Sequence, residues 1–193
     1  SMLGSVLLAR DRFLKPGGLI LPGEANLYAA PVSMNDFRRE KIDFWDHVGG
    51  FDMSSVKPAA WAQTLASPLV EVVSPGALLA RPQLVKCLNL ATLTPQDLVH
   101  IEAELQFCIG RDAELGGLCL FFDTVFKGLS NGTAQHPSTV LCTGPESPPT
   151  HWKQTVCLLG SFPRVKTDET VDIKIILQQD RQNPRQYVLS LET

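Results

Sequence analysis

Between Val99 and Cys108 apolar and polar side chains alternate without a break. Val99, Ile101, Ala103, Leu105 and Phe107 take one face, and His100, Glu102, Glu104, Gln106 and Cys108 the other. An extended chain points successive side chains to opposite sides, so this run predicts a half-buried strand. Its apolar face needs a second layer to cover it. Leu118 to Phe126 is apolar on both faces, which predicts a central strand or one covered by another element. Val140–Thr143 and Val156–Leu159 predict two more strands flanking a proline-rich loop. Further on, Val171, Ile173, Ile175 and Leu177 alternate with Asp172 and Lys174 until Ile176 breaks the pattern. Asp180–Pro184 predicts a turn, and Tyr187, Leu189 and Leu191 a final strand for which the sequence shows no partner. Short strands separated by turn signals predict a mainly β fold, a barrel or a sandwich.

The first third of the chain reads differently. Met2, Leu3, Val6, Leu7 and Phe13 fall on a helical period that Lys15-Pro16-Gly17-Gly18 stops. Leu19–Leu21 predicts a short buried strand and Asn26–Val32 another, with Pro22-Gly23 the expected boundary between two units. Ser33 with Asp36 resembles a capping box, starting a helix with Phe37, Lys41, Phe44 or Trp45, and Val48 along one face. Gly49-Gly50 would end it. From 51 to 68 Phe51, Met53, Val56, Trp61 and Leu65 follow no clean period, as expected of an apolar excursion made for an interface.

With 44% hydrophobic residues over 193 positions, the chain can bury a real core. Its net charge of −3 gives no basic footprint for nucleic acid, so direct nucleic-acid binding is not expected. No apolar run approaches the roughly 18–20 residues of a membrane span, and no signal peptide is visible. The five cysteines lack CxxC spacing and sit mostly in strand-like apolar runs, which predicts small buried hydrophobes. The four histidines are scattered, so no metal site is expected. His47, His100 and His136 suggest no chemistry, and Glu146 and Asp123 lack a paired carboxylate in sequence.

The segment from Thr143 to Gln154 is the densest in chemistry. Three prolines stiffen a loop that sets His151 beside Trp152. An indole face attracts a guanidinium, and an imidazole can anchor a carboxylate or relay a proton. Thr150-His151-Trp152, framed by Ser147-Pro148 and Lys153-Gln154, resembles the Thr-His-Trp loop of protein arginine N-methyltransferases, especially the type I branch. Three other stretches agree in order: residues 2–22, which look like the last helix and exit strand of that family's cofactor domain; Phe44-Trp45 with Gly50-Phe51-Asp52-Met53-Ser54, like the lead-in to its dimerisation arm; and Leu69–Val73, like the strand returning from that arm.

The resemblance implies residues 1–22 as a remnant of the S-adenosylmethionine-binding domain and 23–193 as a β-barrel substrate domain carrying a helical dimerisation arm at about 44–68. It implies a catalytic role for His151, target-arginine contacts for Trp152 and Met2, and cofactor contacts for Ser5 and Met2. The family's Gly-rich cofactor loop and two catalytic glutamates would lie upstream of Ser1. The expectation is therefore a piece of a methyltransferase that acts on arginine-rich proteins such as histones, in the nucleus or cytoplasm, as a homodimer when whole. By itself the piece is expected neither to bind S-adenosylmethionine nor to turn over. The alternatives are a non-catalytic β-barrel protein-binding module and, at a distance, an unrelated jelly-roll domain.

Overall fold

A computed structural model describes residues 2–192 except Leu129, Gly132, Thr133 and His136, and leaves the side chains of 129–136 undescribed. Helix α1 spans Leu3–Phe13. Strand β1 (Glu24–Val32) leads to α2 (Asn35–Lys41), and α3 (Lys57–Leu65) precedes β2 (Leu69–Glu71). Then come β3 (Gln83–Asn89), β4 (His100–Cys108), β5 (Ala113–Glu114), β6 (Gly117–Phe126), β7 (Ser130–Asn131) and β8 (Ala134–Gln135). The chain ends with β9 (Thr139–Cys142), β10 (Gln154–Leu158), β11 (Arg164–Val165), β12 (Thr170–Gln179) and β13 (Tyr187–Glu192).

The strands form a mainly β, antiparallel architecture. One sheet runs β2-β10-β6-β1-β3 with β9 also on β6, and a second runs β13-β12-β4. Their facing sides build the main core: Ala29, Leu118, Leu120 and Cys157 from the larger sheet meet Ile101, Leu105, Phe107, Ile173, Ile175 and Leu177 from the smaller. At the seam between β3 and β4 the Gln83 amide donates to the Gln106 carbonyl. Among the described residues the sheets do not join into one hydrogen-bonded cylinder. The opposite face of the large sheet carries Val32, Cys119, Phe121 and Val156, covered by Met34 and Phe37. Layers on both sides explain why Leu118 to Phe121 are all buried.

Helix α1 is tied to the β structure. Leu7 is 1% exposed and packs with Leu88, Leu90, Leu93 and Leu98. Arg10 Nη1 donates to the carbonyls of Leu90 at 2.9 Å and Leu93 at 2.8 Å. Leu19–Leu21 is not a strand: Leu19 and Leu21 are exposed, and only Ile20 packs inward, against the Leu7 cluster. The final strand does have a partner, since β13 pairs with β12 along its length.

The predicted second helix is shorter than its periodicity. It starts after Met34 without a side-chain cap: Ser33 falls one position before the N-cap, out of register for a capping box with Asp36, which pairs with Arg39 at 2.7 Å. It ends at Lys41, a 3-10 turn follows over Asp43–Asp46, and Val48 bridges to Phe51 around Gly49 and Gly50. Both glycines have positive φ, 58° and 88°, which a side chain would resist. The aperiodic excursion contains α3, whose Trp61 departs from the expected exposure. Its Nε1 donates to the Gly160 carbonyl at 3.2 Å, and its ring meets Phe162 edge-on at 5.5 Å. Arg38 lies over the Phe162 ring at 5.2 Å and bonds Glu114 at 3.0 Å. Phe51 and Met53 remain exposed, as expected.

Cysteine burial is mixed. Burial pushes the Cys119 thiol up to about 12 and Cys157 to about 11, while Cys87 and Cys108 are exposed. His136 falls outside the described residues.

Candidate active site

The loop between β9 and β10 is fixed at both ends by buried polar side chains. The Thr143 hydroxyl donates to the Phe122 carbonyl at 2.8 Å and accepts from the Phe122 N–H at 3.1 Å. Gln154 is 3% exposed. Its Nε2 donates to the Thr143 carbonyl at 2.6 Å, and its Oε1 accepts from the Val73 N–H at 2.7 Å. One amide thus joins the two ends of the loop to Val73, two residues past β2. Gly144 sits against Phe121, where an added Cβ would lie 2.7 Å from the ring.

The distal part of the loop closes on itself. The Lys153 N–H donates to the Thr150 carbonyl at 3.1 Å, and Lys153 adopts φ of 52°. That turn presents His151 and Trp152 together at an exposed corner, ring centroids 3.9 Å apart and planes 34° apart. Trp152 meets Phe122 edge-on at 5.7 Å and is 47% exposed. With the imidazole and Phe122 both against it, the indole is still 47% exposed, which leaves ring surface for a guanidinium to approach. Lys153 stands 3.9 Å from Glu71. The Thr150 hydroxyl is buried with no hydrogen-bond partner among the described residues.

The sequence-predicted residues divide into two groups. His151 and Trp152 are in contact. Met2 and Ser5 lie at the exposed start of α1, and among the described residues no hydrogen bond or ring contact links them to the His151–Trp152 corner. Among the described residues no cluster of three or more His, Cys, Asp or Glu is arranged to hold a metal. Two features escaped the sequence reading. Gln154 was named only as part of the frame around Thr150-His151-Trp152, with no role of its own. Asn26, on β1, donates to both Glu24 at 3.2 Å and Asp123 at 3.0 Å. Tyr28 beside them has its phenol pushed up, by burial first and then by the Asp123 carboxylate.

A profile for the arginine methyltransferase oligomerization subdomain matches residues 23–193. The chain belongs to the protein arginine methyltransferase family. A probable protein arginine N-methyltransferase 6 of Arabidopsis thaliana is 36% identical over 220 residues, covering 100% of this chain and 51% of that protein. Protein arginine N-methyltransferase 1 of Chlamydomonas reinhardtii is 33% identical over 191 residues, covering 99% and 52%. The chain spans about half the length of the curated methyltransferases it matches. Among solved structures, a Trypanosoma brucei PRMT1 enzyme-prozyme heterotetrameric complex with AdoHcy superposes with a TM-score of 0.81 at 29% identity, covering 99% of this chain and 57% of that one. A crystal structure of PRMT6 shares the fold, with a TM-score of 0.74 at 24% identity over 100% and 62%.

Proposed function

We propose that this chain is the β-rich part of an enzyme that transfers methyl groups from S-adenosylmethionine to arginine side chains of proteins such as histones. The carrying observation is the His151–Trp152 corner, two rings in tilted contact and open to solvent on a loop whose ends are locked at Thr143 and Gln154. Methyl transfer to a guanidinium nitrogen needs nucleophile, methyl carbon and leaving sulfur in line, so positioning supplies much of the rate. A rigid loop serves that requirement. In this reading His151 anchors a carboxylate of the cofactor domain, and Trp152 receives the target guanidinium on its exposed ring surface. Met2 borders the reacting methyl and, with Ser5, contacts the cofactor.

The domain reading is residues 1–22 as the end of the cofactor unit and 23–193 as the substrate unit. The arm at about 44–68 serves a homodimer, and the whole enzyme works in the nucleus or cytoplasm. The exposed Phe51, Met53 and Phe44 support an interface there. The exposure of Met2 and Ser5 supports the inference that these 193 residues alone neither bind S-adenosylmethionine nor turn over. Isothermal titration showing tight binding to them would reverse that inference.

The test uses the whole enzyme, an arginine-rich peptide and radiolabelled cofactor. His151→Ala should lower kcat about a hundredfold or more while circular dichroism is unchanged. Trp152→Ala should mainly raise KM for the peptide, about twofold to thirtyfold for a lost cation–π contact. A His151→Ala enzyme with unchanged kcat would remove the assignment. Peptide binding without turnover by the unaltered protein would favour a non-catalytic binding module.

A further inference from the structure

Away from the His151–Trp152 corner, a groove of about 630 Å³ runs between the segment after β2, the β4–β5 turn and the start of the β9–β10 loop. Its walls are tied together by backbone: the Gly110 N–H donates to the Leu79 carbonyl at 2.8 Å, and the Leu79 N–H to the Pro31 carbonyl at 2.9 Å. Pro75, Leu78, Ala80 and Pro82 make much of its lining apolar. Three charged side chains complete it: Arg81, Arg111 and Glu146. Arg111 is braced, its Nη2 donating to the Gly76 carbonyl at 2.8 Å. Arg81 and Glu146 line the same groove yet have no ion-pair partner among the described residues. In a chain of net charge −3, this groove carries two guanidinium groups against one carboxylate.

We propose that the groove docks an extended peptide segment in which acidic side chains alternate with apolar ones. Its carboxylate is received by Arg81 and Arg111, whose planar forks suit carboxylate oxygens. Its neighbouring apolar residue lies on Leu78, Ala80 and Pro82. Glu146, at the other limit, sets direction by repelling a second carboxylate and accepting backbone N–H groups. The apolar floor and Glu146 both disfavour a nucleic-acid backbone, which presents phosphates without apolar side chains. The inference stands apart from the methyl-transfer reading, because it is read by binding alone.

The experiment uses the full chain and a fluorescein-labelled peptide of sequence Gly-Glu-Leu-Pro-Glu-Leu-Gly, followed by anisotropy. Saturable binding is expected. Arg81→Glu with Arg111→Glu should weaken it about tenfold or more, as the loss of charge-assisted bonds implies. Lys41→Glu, on exposed α2 away from the groove, should leave it unchanged. A peptide with lysine in place of glutamate should bind the unaltered chain poorly and the double variant better. Should the double variant not fold, Arg81→Glu alone carries the test, since Arg81 is exposed and makes no described ion pair. The proposal is overturned if the glutamate peptide shows no saturable binding, if charge reversal leaves its affinity unchanged, or if an oligodeoxythymidine binds the groove more tightly than the peptide.

Discussion

Replacing Gln154 tests whether one buried amide organises the β9–β10 loop. Gln154→Met keeps nearly the same shape but removes the acceptor for the Val73 N–H and the donor to the Thr143 carbonyl. Val73 is 5% exposed and Thr143 1%, so water cannot readily replace the lost partner. Each orphaned buried group costs about 1–3 kcal/mol, giving roughly 2–6 kcal/mol for the pair. That is a large share of the 5–15 kcal/mol typical of a folded domain. Urea melts at neutral pH should register it as a lowered midpoint with an unchanged slope. Gln154→Glu sharpens the argument. Its protonated form can donate to the Thr143 carbonyl and still accept from Val73, whereas its carboxylate sets two acceptors against each other. Burial raises the folded-state pKa of such a group above about 4.3. Its stabilising contribution is therefore present below the unfolded value and lost as pH rises through the folded one. The deficit relative to the unaltered chain should be small near pH 4–5 and widen by at most about 1.4 kcal/mol per pH unit above it. A Gln154→Met loss below about 1 kcal/mol, or a Gln154→Glu deficit independent of pH, would refute the reasoning.

Further outcomes follow from single contacts. Leu7→Ala should cost about 2–5 kcal/mol by leaving a cavity against Leu88, Leu90, Leu93 and Leu98, measurable by thermal melting. An unaffected melt would mean that α1 is not part of the cooperative unit. Gly144→Ala pushes a Cβ to 2.7 Å from the Phe121 ring, which is itself stacked on Tyr28. It should cost about 1–3 kcal/mol and alter the near-ultraviolet dichroism, and a native spectrum would contradict that. His100 has its pKa raised, first by its hydrogen bond to Glu102 and then by that to Gln178. Its stabilising effect is full below the unfolded value and fades as pH rises through the folded one. Nuclear magnetic resonance titration should show the raised value fall on Glu102→Gln; an unmoved titration would assign the shift elsewhere.

The sequence made some elements legible and hid others for definable reasons. β4 was readable because each residue faces either the shared core or solvent, with nothing beyond it to bury the polar side. β3 was invisible, although it is as long as many strands. Its buried residues, Val85 and Leu88, are three apart. The pairing with β1 jumps from Lys86 opposite Leu27 to Leu84 opposite Tyr28, so Val85 is the extra residue of a bulge that breaks the two-residue period. Ser33 and Asp36 carried a helix-start signal, yet the N-cap is Met34, one residue later than their spacing requires. At the site, the adjacent His151 and Trp152 were legible because neighbours in sequence stay neighbours in space. Gln154 was not, because its meaning depends on Val73, 81 positions away. Asn26 likewise acquires its role only when β1 and β6 pair and bring Asp123 beside it.

The arm shows why composition alone could not separate an interface from an anchor. Its aromatic residues look alike in sequence, but they divide by contact. Trp61 is held by Gly160 and Phe162, and Phe162 in turn lies under Arg38, whose guanidinium is fixed by Glu114 on β5. At the other end Lys57 bonds Asp43 and Asp46, each at 2.9 Å. The Lys57 ammonium is pushed up in pKa, first by its hydrogen bond to Asp43 and then by that to Asp46. The first attachment ties α3 to the segment between β10 and β11, and the second ties it to the 3-10 turn over Asp43–Asp46, while Phe51, between Asp46 and Lys57 in the chain, is left 74% exposed. A segment already tied by Trp61 and Lys57 has lost part of its conformational entropy in folding, so burying a side chain on it would cost less than on a loose loop. Anchoring at α3 and exposure at Phe51 are therefore compatible within one segment: the ties at Trp61 and Lys57 limit how far the exposed Phe51 can shift.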